Sequence, residues 1–256
     1  MSVSTFLFLA LAAGFAGFVD AMVGGGGLIQ LPALLIGLSD KPIPLILGTN
    51  KIPAILGTSS AAVTYFKRVR PDLHVTAFMA GPAFLGSILG ARLAASFPKD
   101  FFRPIIIFLL IAVAIYTWRK PQLGLQEKIK YSGKVRNALV AGFGLTIGFY
   151  DGVFGPGTGT FLVFLLVGVI GYEFLKASAT AKLVNIATNF GAILSFQFTG
   201  HIWWRLGLAL AVANVSGAIV GSRLAIKGGS GLVRRVFLIV AAILIAKVSY
   251  DWFKIQ

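Results

Sequence analysis

Two lysines inside long apolar stretches are the residues of this chain best placed to do chemistry. Lys51 and Lys182 are 131 positions apart, and a threonine precedes each lysine by two positions. A lysine at the centre of a membrane span costs roughly 2.5–3.5 kcal/mol on insertion scales, so it needs a compensating partner or role. The two ammonium groups could neutralise buried carboxylates as structural ion pairs, or they could bind an anionic substrate.

Other charged residues repeat at the same offset of 131. Asp20 corresponds to Asp151, and Arg92 corresponds to Arg223. These matches are evidence for a repeat, because only 12% of the residues are charged and few such matches would arise by chance. The chain is therefore predicted to be a duplication, with residues 1–120 as the first transmembrane repeat, 121–134 as a linker and 135–256 as the second repeat.

The composition indicates that most of the chain is surrounded by lipid. Hydrophobic residues make up 57% of the chain and the mean hydropathy is +0.88, whereas a soluble domain carries roughly 25% charged residues. About 20 apolar residues cross a bilayer as a helix. We predict an all-α polytopic membrane protein with about eight transmembrane helices. The predicted spans lie near 4–23, 42–66, 73–96, 101–118, 135–154, 176–198, 205–225 and 232–253.

Two apolar runs, Leu28–Leu38 and Thr160–Gly171, are too short to cross alone. They predict short broken or re-entrant segments, which need protein or a water-filled cavity around them. The pattern does not decide whether the two repeats are inverted or parallel, and both arrangements occur among transporters.

The formal net charge of +15 fits membrane topology better than nucleic-acid binding. Cations concentrate in a loop and in the linker, which the positive-inside rule places in the cytoplasm of a multi-pass inner-membrane protein. No cysteine is present, which excludes disulfides. The cations of the two segments are Lys67, Arg68, Arg70, Arg119, Lys120, Lys128, Lys130, Lys134 and Arg136.

Glycine clusters at 24–27 and 155–159 interrupt the apolar stretches in equivalent places. Each glycine costs about 1 kcal/mol in a helix relative to alanine, and Pro156 removes a backbone donor. A new helix begins after each break, and its free N–H groups and positive dipole end attract anions. We interpret these clusters as functional, although close helix packing is the alternative. Packing is the preferred interpretation for Gly14, Gly17, Gly144 and Gly148.

Polar side chains extend the lysine motifs along one helix face. Lys182, Asn185 and Asn189 follow i, i+3 and i+7 spacing, and Thr58 occupies the same stripe in the first repeat. Asp20 and Asp151 are predicted as structural ion pairs or as proton-coupling groups, because burial favours the protonated carboxyl. No catalytic residue, metal site or cofactor is predicted. The predicted substrate-binding residues are Lys51, Lys182, Asn50, Asn185, Asn189, Thr58, Gly25, Gly26, Gly27, Gly157 and Thr158.

Four segments give the chain a resemblance to a known family. They are Ala16-Gly-Phe-Val-Asp-Ala-Met-Val-Gly-Gly-Gly-Gly-Leu with Pro32, Gly48-Thr-Asn-Lys, Gly148-Phe-Tyr-Asp-Gly-Val-Phe-Gly-Pro-Gly-Thr-Gly, and Ala179-Thr-Ala-Lys-Leu-Val-Asn. With the duplication, they resemble the TauE/SafE family over nearly the whole chain. The resemblance implies a membrane permease that exports sulfite or small organosulfonates across the bacterial inner membrane by a secondary mechanism.

The predicted function is therefore a secondary transporter that exports a small anion by alternating access around a site between the repeats. No P-loop motif is present, so the chain is not expected to hydrolyse ATP. An anion channel would share the basic lining. A membrane enzyme acting on a phosphorylated lipid would need clustered acids or an activated nucleophile, so we expect no enzyme activity. The expected partners are a small anion and the lipid bilayer, and the oligomeric state stays open.

Overall fold

The computed structural model of the chain describes residues 1–94 and 124–253, with side chains described as far as Val240. These residues are helical and contain no β-strand, which confirms the all-α fold. The first repeat forms α1 (Val3–Val23), α2 (Gly27–Gly37), α3 (Ile43–Phe66) and α4 (Leu73–Leu93). The second forms α5 (Gly133–Val153), α6 (Thr158–Leu165, continued by a π-helical turn at Leu166–Ile170), α7 (Phe174–Phe198) and the long segment Trp204–Phe253.

The helices agree with the predicted spans to within a few residues. Three described segments are both long and apolar enough to cross a membrane: Val3–Val23, Leu73–Leu93 and Trp204–Val240. Helices α3, α5 and α7 have similar lengths of 24, 21 and 25 residues. The two short apolar helices follow the glycine breaks, as predicted. The predicted span near 101–118 lies outside the described residues.

A backbone break at Gly229 divides the last segment into two helices. Gly229 has φ 64° and ψ −173°, which separates α8 (204–228) from α9 (230–253). The Ser230 hydroxyl accepts a hydrogen bond from the Leu175 amide at the start of α7. Ten residues later, Val240 lies beside Gly25 at the first glycine break. The chain therefore turns back towards the middle of the bundle at Gly229.

The two repeats have opposite orientations. Gly48 near the start of α3 lies against Phe196 near the end of α7, so these two equivalent helices are antiparallel. Within the first repeat, α1 and α3 point the same way, because the Tyr65 hydroxyl at the end of α3 donates to the Ala21 carbonyl near the end of α1. The structure thus answers the question that the sequence left open, and the repeats are inverted.

Each repeat packs its fourth helix against the other repeat. Helix α8 lies along α1 and α3, while α4 lies along α5 and α7. Gly17 touches the carbonyl of Asn214 and its equivalent Gly148 touches the carbonyl of Ala83, so both predicted packing glycines permit close helix contact. Apart from α9, the described helices group into two bodies by their contacts: the first body contains α1, α2, α3 and α8, and the second body contains α4, α5, α6 and α7. The two repeats are therefore interlocked and do not pack as separate units.

Candidate functional site

The two glycine breaks meet at the centre of the bundle. Helix α1 is followed by Gly24 with φ 83°, and α5 is followed by the equivalent Gly155 with φ 92°. Both angles lie in the left-handed region that glycine adopts without strain. The Thr160 amide donates to the Gly24 carbonyl at 3.2 Å, and the Thr160 hydroxyl donates to the Val23 carbonyl at 3.2 Å. These bonds bring the starts of α2 and α6 to the same place.

The two buried lysines form ion pairs that cross between the repeats. Lys51 Nζ lies 2.9 Å from Asp151 Oδ2 and donates to the Asp151 carbonyl at 2.7 Å. Lys182 Nζ lies 3.4 Å from Asp20 Oδ2 and also donates to the Asp20 carbonyl. Each lysine therefore pairs with the aspartate of the other repeat, and the four charges sum to zero. Each ion pair also joins the first body to the second body.

The two ion pairs differ in their access to the cavity. The side chains of Lys51 and Asp151 are each 3% exposed, whereas Asp20 is 17% exposed beside a Lys182 that is 1% exposed. Thr158 donates its hydroxyl to Asp151 at 2.7 Å. The equivalent carboxylate, Asp20, accepts from the Thr58 hydroxyl at 3.1 Å. Asp20 is thus the more accessible and more loosely held of the two carboxylates.

A polar cavity of about 440 Å³, including its open mouth, lies between the two bodies. Two of the predicted site residues are missing from its lining: Lys182 is buried in its ion pair, and Gly25 packs against the Val240 side chain. The predicted residues that do line the cavity are Asp20, Gly26, Gly27, Asn50, Lys51, Thr58, Asp151, Gly157, Thr158, Asn185 and Asn189.

Both short helices direct their N-termini to this cavity. Helix α2 begins at Gly27 and α6 begins at Thr158, and both residues line the cavity. Most amides of the first turns are already paired: those of Leu28 and Ile29 donate to the Gly25 and Gly26 carbonyls, and that of Thr158 donates to the Gly155 carbonyl. The N-termini therefore act on the cavity mainly through the helix dipole, whose positive end favours an anion. The cavity therefore combines two sources of positive potential with the amide side chains of Asn50, Asn185 and Asn189.

Two polar residues that have no counterpart in the other repeat complete the site. Gln30 and Asn214 line the cavity, and Asn214 Nδ2 donates to Gln30 Oε1 at 2.8 Å. Interhelical hydrogen bonding is what isolated amides in membrane helices usually do. One signal in the sequence could have placed Gln30 here: it is the fourth residue of the helix that follows the first glycine break.

A second polar cluster lies at the end of the bundle where α4, α5 and α7 begin. Asp72 Oδ1 accepts from the Val75 amide at 2.9 Å, and Asp72 Oδ2 accepts from the Tyr172 hydroxyl at 2.5 Å. Arg136 lies 3.8 Å from the same carboxylate. Burial opposes ionisation of Asp72, but these hydrogen bonds and the Arg136 charge outweigh it and lower its pKa. Burial and the bond to Asp72 raise the pKa of Tyr172.

This end of the bundle also carries the cationic residues that the sequence places in two loops. The loop between α3 and α4 and the residues before α5 meet here, because His74 Nε2 lies 3.1 Å from Asn137 Oδ1. Arg119 and Lys120 lie outside the described residues. The described cations of these two segments are Lys67, Arg68, Arg70, Lys128, Lys130, Lys134 and Arg136.

Inverted helical repeats around a polar, charge-balanced cavity define a class: multi-pass membrane proteins with a central polar cavity. The family model for the sulfite exporter TauE/SafE family matches residues 9–248. The chain belongs to the TauE/SafE family, as its sequence motifs predicted.

Curated relatives cover nearly the whole chain. A Sinorhizobium sp protein named probable membrane transporter protein ORF9 is 38% identical over 244 residues, which is 95% of this chain and 92% of that protein. A probable membrane transporter protein of Haemophilus influenzae is 35% identical over 241 residues, with coverage of 93% and 92%. The probable membrane transporter protein YfcA of Escherichia coli K12 is 36% identical over 237 residues, with coverage of 92% and 86%. No solved structure matches the chain.

Proposed function

We propose that this protein is a secondary transporter that exports a small anion, with sulfite or a small organosulfonate as the substrate. The observation that carries the proposal is the cavity between the two bodies, into which the N-termini of α2 and α6 both point. The family description names sulfite export, and the curated relatives are named as membrane transporters.

The balance of side-chain charges and helix dipoles favours an anion in this cavity. Lys51 and Lys182 are balanced by Asp151 and Asp20, so the fixed side-chain charges contribute no net charge. The two helix N-termini then leave the cavity with a positive potential. A small anion satisfies that potential, while the side-chain amides of Asn50 and Asn185 supply hydrogen-bond donors; Asn189 Nδ2 donates to Asn185 instead. The same positive potential would repel a cation.

Transport proceeds by alternating access, in which the first body rocks against the second body around the cavity. The interlocked packing makes these bodies, rather than the two sequence repeats, the moving units. Both ion pairs cross the boundary between the bodies, so a rocking motion changes the distance between each lysine and its aspartate. Lys51 lines the cavity, and it contacts the anion when its bond to Asp151 loosens.

The direction of transport follows from the membrane potential. An inside-negative potential favours the exit of one negative charge by about 2.3 kcal/mol per 100 mV. The described cationic loops lie at one end of the bundle, which the positive-inside rule assigns to the cytoplasm of an inner-membrane protein. Asp20, the more accessible carboxylate, is the candidate for proton coupling.

Flux in proteoliposomes tests the proposal. Vesicles containing the protein are loaded in turn with sulfite, sulfate, thiosulfate, sulfoacetate, taurine or acetate, and efflux is followed at several membrane potentials and pH gradients. A saturable, voltage-dependent flux of one sulfur oxyanion, accelerated by the same anion on the opposite side, is expected. Flux without saturation or such acceleration indicates an anion channel instead.

A matched pair of variants shows whether the flux uses this cavity. Ala54→Phe places a large side chain in the cavity lining and is expected to abolish flux. Val63→Phe makes a similar change on the same helix at a residue that is exposed on the outside of the bundle, and it should retain flux. If the wild type moves no sulfur compound, or if Ala54→Phe transports normally, the proposed function is wrong.

A further inference from the structure

The Gln30 side chain presents a buried hydrogen-bond donor to the cavity. Gln30 is 3% exposed and lines the cavity. Its Oε1 accepts from Asn214 Nδ2, while its Nε2 has no hydrogen-bond partner among the described residues. Buried polar groups are nearly always satisfied, and leaving one unpaired is costly. An unpaired buried donor on a residue that lines a cavity is available to a hydrogen-bond acceptor in that cavity.

The surrounding helices fix the orientation of this donor. The Asn214 Oδ1 atom lies against Gly17 of α1 and Gly57 of α3, and a Cβ at either glycine would overlap it. This packing leaves Asn214 Nδ2 free to donate to Gln30 Oε1 at 2.8 Å, so Gln30 Nε2 is the amide atom that is left without a partner. All four residues belong to the first body, and the donor therefore keeps its geometry while the two bodies move.

The donor exists on one side of the cavity only. At the offset of 131, Gln30 corresponds to Phe161 and Asn214 corresponds to Ala83. The ion pairs and helix N-termini are present in both repeats, and they act on any small anion because they act through charge. A directed donor acts only on a ligand with an acceptor atom at the right place.

We propose that Gln30 is a specificity-determining residue that donates from Nε2 to an oxygen of the bound anion and selects oxyanions over halides. The inference rests on the proposed function of the cavity as an anion site. A sulfur oxyanion has several oxygens, so one oxygen can lie at the positive end of the α2 dipole while another accepts from Gln30. Chloride is a single atom and cannot occupy both places. Asn214 is the positioning residue for the Gln30 amide.

Anion affinities of purified variants test this inference. Dissociation constants for sulfite and chloride are obtained from the thermal stabilisation of the protein in detergent, and fluxes are measured in proteoliposomes. Gln30→Leu removes the donor without adding charge. Gln30→Glu keeps an acceptor for Asn214 but replaces the donor with a carboxylate oxygen. The matched control is Gln197→Leu, because Gln197 Oε1 accepts from Trp204 Nε1 at 2.7 Å at an exposed position outside the cavity lining.

Gln30→Leu is expected to raise the sulfite dissociation constant by about tenfold or more, as loss of a hydrogen bond to a charged group does. The chloride constant should change by less than about threefold, since a halide gains little from a directed donor. Gln30→Glu should weaken sulfite binding further through repulsion. Gln197→Leu should behave as the wild type does.

Two results overturn the inference about Gln30, and both can be distinguished from a failure of the proposed function. The first is a folded Gln30→Leu variant that keeps the wild-type ratio of sulfite to chloride affinity. If that variant does not fold, a Gln30→Glu variant that binds sulfite as tightly as the wild type overturns the inference instead. A wild type that neither binds nor transports any anion rejects the proposed function, and the role of Gln30 with it.

Discussion

Removing the Lys51 charge should destabilise the protein more than removing the equivalent charge of Lys182. Lys51→Met leaves the Asp151 carboxyl at 3% exposure without its cationic partner, with the Thr158 hydroxyl as its remaining side-chain donor. Breaking a buried ion pair by removing one partner costs about 3–5 kcal/mol. Lys182→Met leaves Asp20, which is 17% exposed and faces the cavity, so water can solvate it. The expected cost there is about 1–3 kcal/mol.

The free energy of unfolding, measured by reversible denaturation in mixed micelles, gives the comparison. Two second-site variants isolate the cause. Lys51→Met combined with Asp151→Asn removes both charges and should recover most of the lost free energy, because no buried charge then remains. The exchange Lys51→Asp with Asp151→Lys restores the pair in reverse and should be more stable than either single variant.

Two results would refute this reasoning. Equal losses for Lys51→Met and Lys182→Met would show that the difference in exposure between Asp151 and Asp20 has no energetic effect. A double variant no more stable than Lys51→Met would show that the lost free energy comes from packing of the lysine stem rather than from the unpaired charge.

Three further predictions follow from described contacts. Gly24→Ala should lower the free energy of unfolding by at least about 1–2 kcal/mol, since φ is 83° there, whereas Gly142→Ala in open space on α5 should be neutral or stabilising. The thermal midpoint should fall as pH drops below about 4, because the lowered pKa of Asp72 contributes stability that is lost when the carboxylate is protonated. Asp72→Asn should weaken this pH dependence. If the variant has the same pH profile as the wild type, Asp72 is not the cause. Tyr65→Phe should cost about 1 kcal/mol by removing a buried hydrogen bond, and an unchanged unfolding free energy would show that this bond is not stabilising.

The ion pairs change how the lysines act in the proposed transport. Either an ion-pair role or a substrate role was open from the sequence, and in this structure both lysines are paired. Lys51 can reach a substrate from where it is, because it lines the cavity. Lys182 does not line the cavity, so a substrate contact by Lys182 requires the two bodies to move. The two lysines are therefore equivalent in sequence but differ in their access to the cavity.

Much of the fold could be predicted because membrane insertion leaves a strong local pattern. A transmembrane span needs about 20 apolar residues, and glycine or proline interrupts a helix. The helix bounds and the two short helices could therefore be predicted from the sequence. Most of the cavity lining was predicted as well, since Asn185 and Asn189 share a helix face with Lys182. Gln30 and Asn214 were missed as cavity residues because neither has a counterpart in the other repeat.

The sequence by itself determined that the protein is a duplicated membrane protein with charged residues and glycine breaks in equivalent places. Those features follow from local rules of hydropathy, helix propensity and repeat offset. Only the tertiary structure decided that the repeats are inverted, that α4 and α8 pack against the opposite repeat, and that Lys51 pairs with Asp151 rather than Asp20. A carboxylate 31 positions away and one 100 positions away are equally acceptable partners for a lysine in electrostatic terms. Helix packing alone determines which of them lies within 4 Å.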